Sequence, residues 1–133
     1  MNNSERNEYV KYRLERAAES FHAAEILIEN KLWNSAINRL YYTCFYAVNA
    51  LLVANKIETK THSGLKGQFS LHFIKTNKID RKYGELFSDL FDWRHQGDYG
   101  GLFELEEEVV LNHLVPVKDF LSLVKDFLSD TIL

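Results

Sequence analysis

Breakers and cross-links are scarce in this chain. One proline and six glycines in 133 residues leave few points at which a helix must stop, so long uninterrupted helices are expected. Cys44 is the only cysteine, which excludes an intrachain disulfide and points to a reducing cytoplasm. No run of about 18 apolar residues exists, so no membrane span is expected. The nearest candidate, Ala36 to Ala54, is interrupted by Asn38, Arg39, Thr43 and Asn49. The opening MNNSERNEYVKYRLER has no apolar stretch of the kind a signal peptide needs. There is no global basic excess, the formal charge being −3. Neither an internal repeat nor a low-complexity tract is found.

What the chain does have is apolar surface. Apolar residues make up 46% and aromatics 14%, enough for one well-filled core. The length fits a single domain over residues 1–133. Charge is uneven. The segment from Lys56 to Lys82 sums to +5 and the remainder to −8. Such a segment is either a solvated face or a surface for a phosphate backbone or acidic partner.

The periodicity predicts five helices. In the first, from Ser4 to Asn30, Val10, Leu14, Ala17, Phe21, Ala24 and Ile28 recur at three- and four-residue steps. The second, from Asn34 to Asn55, is apolar almost all round, with Asn34 or Ser35 as its cap. A helix without a wet face is central or pressed against a second subunit, which is the sequence argument for a homodimer. A shorter third helix carries Leu65, Phe69, Phe73 and Ile74 and fades at Thr76 to Lys78. The fourth starts near Asp80, a candidate cap, and carries Tyr83 to Arg94, with Gly97 just past its end and a turn over Asp98 to Gly101. The last runs from Glu104 to Asp130, with glutamates in its first turn and Pro116 expected to kink it near His113. The fold class is therefore all-α, an antiparallel up-and-down bundle of four main helices plus a shorter one.

A carboxylate-bridged metal site is the obvious chemistry to test in a helical bundle. Glu19 and His22 fit Glu-x-x-His, and Asp92 with His95 is a weaker variant. The constellation also needs acids from two other helices. From Leu32 to Ile57 there is none, so neither metal nor cofactor is expected. Cys44 sits mid-helix among aromatics and reads as a small hydrophobe. No nucleophile elbow, phosphate loop or dinucleotide fingerprint is present.

The polar cluster that stands out is Trp93 to Gly100. Arg94 offers a planar fork suited to phosphate, His95 can move protons near neutral pH, and Tyr99 adds a hydroxyl and a stacking face. Together they form a candidate site for holding, or cleaving, an RNA phosphodiester. The competing reading is a local ion pair between Arg94 and Asp98, four residues apart, and the chemistry alone favours it. Arg39, in the apolar second helix, wants a partner; Asp98, Asp92 or Glu85 would tie helices two and four. Tyr41, Tyr42 and Tyr46 read as core residues with satisfied hydroxyls.

Taken together, AAEILIENKLWNSA, AINRLYYTCFYAVNALL, KTHSGL, LFDWRHQGDYGG and LFELEEEVV, in this order, resemble the HEPN domain family in its small stand-alone prokaryotic branch. The resemblance spans nearly the whole chain. It implies a bundle of four main helices plus a shorter one, a homodimer with a cleft between subunits, and a small nucleotidyltransferase partner, in some cases as toxin and antitoxin. Catalytic members resemble metal-independent ribonucleases with an Arg, four to six residues, then His. Arg94 matches the arginine, but Asp98, Tyr99, Gly100 and Gly101 follow where the histidine belongs. The chain instead resembles the branch with Arg, three residues, then Asp-Tyr. The resemblance therefore implies nucleotide or RNA binding by Arg94, Asp98 and Tyr99, supported by Arg39, more than it implies cleavage. A ribonuclease toxin using Arg94 with His95 or Tyr99 is the alternative, and a purely structural interaction module is the third reading.

Overall fold

A computed structural model of the chain describes residues 1–99 and 104–132, with backbone alone at 97–99 and 131–132. Six helices follow in order: α1 (Asn3–Glu29), α2 (Trp33–Ala54), α3 (His62–Phe69), α4 (Arg81–Tyr99), α5 (Glu107–Phe127) and the single turn α6 (Ser129–Ile132). The described residues contain no strand. This is the expected all-α antiparallel bundle, with α1, α2, α4 and α5 as its long helices and α3 as the shorter one.

Helix α2 lies at the centre and packs against α1, α3, α4 and α5. Most of its apolar surface is thereby covered within one chain, with Tyr42, Phe45 and Tyr46 left half-buried. Ile37, Leu40, Tyr41, Leu51 and Leu52 are fully buried, and each such side chain contributes roughly 1.5–3 kcal/mol of transfer free energy. Helix α1 buries Val10, Leu14, Ala17, Phe21 and Ala24, the stripe read from the periodicity, while its other face stays wet. The small residues Ala17 and Ala24 of α1, and Ala36, Ala47 and Ala50 of α2, are fully buried, which lets these helices approach closely. A second group of rings fills the space under α3, α4 and α5. Phe69 meets Phe87 and Phe120 edge-on, with centroids 5.9 and 5.8 Å apart.

The helix ends differ from expectation at four points. Asn34 does not cap α2; the helix starts at Trp33 with no side-chain cap, and Asn34 Oδ1 accepts the amide of Leu105 at 2.8 Å instead. Helix α1 begins with a reciprocal cap between Asn2 and Glu5. Gly97 lies inside α4 rather than past its end, since the helix runs on to Tyr99. Helix α5 starts at Glu107 rather than Glu104, with Pro116 in its interior as expected. Asp80 is the cap it promised to be, its Oδ1 accepting the amide of Lys82 at 2.9 Å. Past Phe69, α3 widens into a π-helical turn over Ser70–Ile74, with the Lys75 amide reaching Ser70.

Several cations of the basic segment are engaged by neighbouring side chains. Lys66 sits 4.7 Å from the ring centroid of Phe91, Lys82 sits 5.1 Å from that of Tyr83, and Arg81 pairs with Glu85. Lys56 and Lys60 border a cleft elsewhere. No helix among the described residues is long and apolar enough to cross a membrane.

Candidate functional site

The site is assembled at the start of α3. Thr61 caps that helix, its Oγ1 accepting the amide of Gly64 at 2.9 Å. A Cβ on Gly64 would fall 2.9 Å from the same oxygen, so glycine keeps the cap tight. The KTHSGL segment is thus a capped helix start, and it delivers His62 as the first helical residue.

His62 meets α2 and α4 at once. Its ring stacks on Phe45 with centroids 4.4 Å apart and on Tyr41 at 5.9 Å. Its Nδ1 lies 2.7 Å from the hydroxyl of Tyr41 and 3.5 Å from Nη1 of Arg94. A guanidinium only donates, so Nδ1 faces it as an acceptor. The imidazole is then neutral with its proton on Nε2, and the Tyr41 hydroxyl donates to Nδ1. The electrostatics agree. Burial pushes the His62 pKa down, and the charge of Arg94 pushes the same way. Burial likewise raises the Tyr41 phenol to about 12, although Arg94 works against that rise.

Arg94 projects from α4, its guanidinium carbon 5.0 Å from the centroid of Tyr41 and 5.6 Å from that of Tyr42. These are cation–π distances, each worth about 0.5–2 kcal/mol depending on exposure. Tyr41 is fully buried and also stacks on Phe87 at 5.7 Å, which anchors the cluster to the core. The result is a positioned fork for a phosphate beside a neutral histidine and half-buried aromatic edges.

The sequence candidates fare unequally. Arg94 belongs to the cluster. His95, one helical step on, is exposed, and the histidine set against Arg94 is His62. Asp98 and Tyr99 have helical backbone, but their side chains lie outside the described residues, and so does the expected Arg94–Asp98 pair. Arg39 does not tie α2 to α4 through a carboxylate among the described residues. Its Nε and Nη2 donate to Asn38 Oδ1 at 3.1 and 2.7 Å, and its guanidinium lies 4.9 Å from the centroid of Tyr42. Arg39 is only half-buried, so an amide oxygen and a ring face suffice, and Glu85 pairs with Arg81. Glu19 pairs with Arg16, and the described residues hold no group of three metal-ligating side chains. Cys44 is buried, and burial drives its thiol pKa well up, as for an inert core residue.

Nothing in the spacing of His62 from Arg94 in the sequence announces their contact. The legible signal is a histidine directly after the capping Thr61 and two residues before Gly64. Tyr41 reads correctly as core, and its satisfied hydroxyl is the link to His62.

An all-α bundle with an arginine–histidine–tyrosine cluster against the middle of its central helix is the class of protein the fold defines. The model of the HEPN domain family matches residues 10–127, and the chain belongs to that family. It is similar to a UPF0332 protein of Thermotoga maritima, 35% identical over 96% of each chain. It is also similar to two Methanocaldococcus jannaschii proteins that bear the name "Putative toxin". Both are 34% identical, over 86% of this chain and 78% of the first, and over 80% of this chain and 79% of the second.

Proposed function

We propose that this HEPN protein is an RNA- or nucleotide-binding module of a toxin–antitoxin type of system, working in the cytoplasm with a small nucleotidyltransferase as its partner. The observation that carries the reading is the Arg94 guanidinium held over Tyr41 and Tyr42 beside His62. Fork, ring edges and the Nε2–H of an uncharged imidazole are what a phosphate with its attached sugar and base can use. The toxin names of two relatives support the system-level part. A homodimer belongs to the same reading, with the half-exposed Tyr42 and Tyr46 of α2 beside the cluster as the surface a second copy would cover.

The test is fluorescence anisotropy with labelled single-stranded RNA, alongside metal-free incubation of the same RNA. Arg94→Ala should weaken binding at least tenfold while keeping its melting temperature within a few degrees. Unchanged affinity in a folded Arg94→Ala protein removes the site and leaves a structural interaction module. Light scattering that shows a monomer at high micromolar concentration removes the dimer.

A second reading, a metal-independent ribonuclease, is favoured by one observation: a neutral imidazole lies against Arg94. In it the 2′-hydroxyl takes the place of the Tyr41 hydroxyl at His62 Nδ1, gives its proton there and attacks the adjacent phosphorus; the P–O5′ bond breaks, the 5′-oxygen leaves with a proton from water, a 2′,3′-cyclic phosphate remains, and Arg94 stabilises the charge on the transition state. Cleavage by the wild type that is lost in His62→Gln and kept in His95→Ala would promote it. Absence of cleavage in EDTA leaves the binding reading.

A further inference from the structure

The cluster around Arg94 is not the only place where cations and rings converge. A second cleft opens where the start of α1, the end of α2 and the loop at 55–61 meet. It holds about 450 Å³, within the range of about 300–1,000 Å³ typical of small-molecule sites. It shares no lining residue with the Arg94 cluster.

Three cations line it: Arg6, Lys56 and Lys60. None is in an ion pair among the described residues, and Glu58 is the one acid in the wall. Arg6 is held in place by Asn3 Oδ1 at 3.0 Å and the Met1 carbonyl at 3.2 Å, bonds that leave other N–H groups of its fork to offer. Lys56 adopts a left-handed backbone, φ 61°, in the turn that ends α2, where its amide reaches Val53 and that of Ile57 reaches Leu52. Glycine is the usual occupant of that position, and lysine puts an ammonium on the cleft instead.

Two further features give the cleft more than charge. Tyr9 lines it, its hydroxyl fixed by Arg13 Nε and Nη2 at 3.0 and 2.6 Å. The ring is therefore a held platform, and Arg13 is not itself part of the wall. Asn49 also lines the cleft, and its Oδ1 is buried with no hydrogen-bond donor in reach. A buried orphan acceptor is unfavourable. A swing of that amide onto a ligand N–H relieves it, and an amide side chain pairs well with an amino-bearing base edge such as that of adenine.

We propose that this cleft binds a nucleotide: the phosphate between Arg6, Lys56 and Lys60, the base on Tyr9, and an exocyclic amine of the base against Asn49. The shared chemistry is a 5′-phosphate on an amino-bearing base, whether on a free nucleoside monophosphate or at the end of an RNA strand. The site does not rest on the Arg94 reading, and either can fail alone.

Isothermal titration of the full chain with AMP, UMP and inorganic phosphate tests it. The expected result is saturable AMP binding, tighter than UMP and at least tenfold tighter than phosphate. The double variant Lys56→Gly, Lys60→Gln should lose at least tenfold in AMP affinity. Its melting temperature should hold or rise, because glycine relieves the left-handed backbone. Asn49→Leu should erase the preference for AMP over UMP, and in the Arg94→Ala background, which leaves this cleft alone, AMP should still bind and should still depend on Lys56 and Lys60. A 5′-phosphorylated oligoadenylate that competes where its 5′-hydroxyl form does not would place the ligand at a strand end; failure of both to compete would make it the free nucleotide. No AMP binding at millimolar concentration overturns the proposal. So does AMP binding no tighter than inorganic phosphate, full affinity in the double lysine variant, or loss of binding in Arg94→Ala.

Discussion

The hydroxyl of Tyr41 and Nδ1 of His62, 21 residues apart in the chain, lie 2.7 Å from each other. That bond joins the buried face of α2 to the first residue of α3, and the donor-only fork of Arg94 beside the same nitrogen puts the imidazole proton on Nε2. It also makes stability depend on pH. The folded protein holds the His62 pKa below its ordinary value of about 6.5, so the folded state refuses a proton that the unfolded chain accepts. Stability should therefore be fully present above about pH 6.5 and decline as pH falls toward the lowered folded value. Melting temperatures measured from pH 7.5 to pH 5 for wild type and His62→Gln isolate the effect. The wild-type curve should fall more steeply than that of the variant. Parallel curves would mean that His62 carries no such coupling.

Arg94 acts through shape as well as charge. Lysine keeps the charge but loses both the bidentate fork and the flat stack on Tyr41 and Tyr42. Arg94→Lys should therefore weaken RNA binding about tenfold or more, equivalent to about 1.4 kcal/mol. His95→Ala, on the exposed side of the same helix, should leave the affinity within about twofold. Anisotropy titrations of the two variants decide which histidine neighbourhood matters. A large loss in His95→Ala with little change in Arg94→Lys would move the site to the outer face of α4.

The bundle was legible because burial obeys periodicity. Val10, Leu14, Ala17, Phe21 and Ala24 could be read as one stripe, and they are buried as one. The uniform apolarity of α2 is legible too, and it has two explanations; packing within the chain buries most of the helix but leaves Tyr42, Phe45 and Tyr46 half-buried. Asn34 failed as a cap because a distant backbone amide, Leu105, claims its oxygen, and no local pattern encodes a partner 71 residues away. The same reason hid His62. Arg94 announced itself by chemistry, but the imidazole opposite it comes from another helix, across 32 residues of chain. For Arg39 neither Asp92 nor Glu85 is the partner, and the side chain of Asp98 lies outside the described residues. A half-buried guanidinium does not require a carboxylate, and Asn38 with Tyr42 meets its needs.

Helix α3 offers a paired test of how His62 is held. Gly67 has open space where a Cβ would go, so Gly67→Ala should stabilise by about 0.5–1 kcal/mol through helix propensity. Gly64→Ala gains the same propensity but crowds Thr61 Oγ1 at 2.9 Å and strains the cap, which is worth about 0.5–2 kcal/mol. Chemical denaturation should therefore rank Gly67→Ala above wild type and Gly64→Ala below Gly67→Ala by roughly the value of a cap. Because His62 follows Thr61 directly, Gly64→Ala should also weaken RNA binding, and Gly67→Ala should not. Equal stability of the two variants would mean that the cap yields freely and does not position His62.

The contact between Asn34 and Leu105 sets the entry of the chain into α5. Leu105 is buried, 2% exposed, and its amide donates to Asn34 Oδ1 at 2.8 Å. Removing the acceptor leaves a buried N–H without that partner, a loss of about 1–3 kcal/mol. Asn34→Ala should therefore lower stability by that amount. Asn34→Asp keeps an oxygen at the same reach and should recover most of it, because a carboxylate accepts the amide hydrogen at least as well. The bond also anchors the described chain immediately after the segment that follows Arg94 and Tyr99. If that anchor positions the segment for binding, Asn34→Ala should weaken RNA affinity at temperatures well below its melting transition, and Asn34→Asp should restore it. Denaturation and anisotropy on the same three proteins separate the roles. A stability loss with unchanged affinity makes the bond a strut of the fold alone, and a joint loss that Asn34→Asp repairs makes it part of how the end of α4 is held.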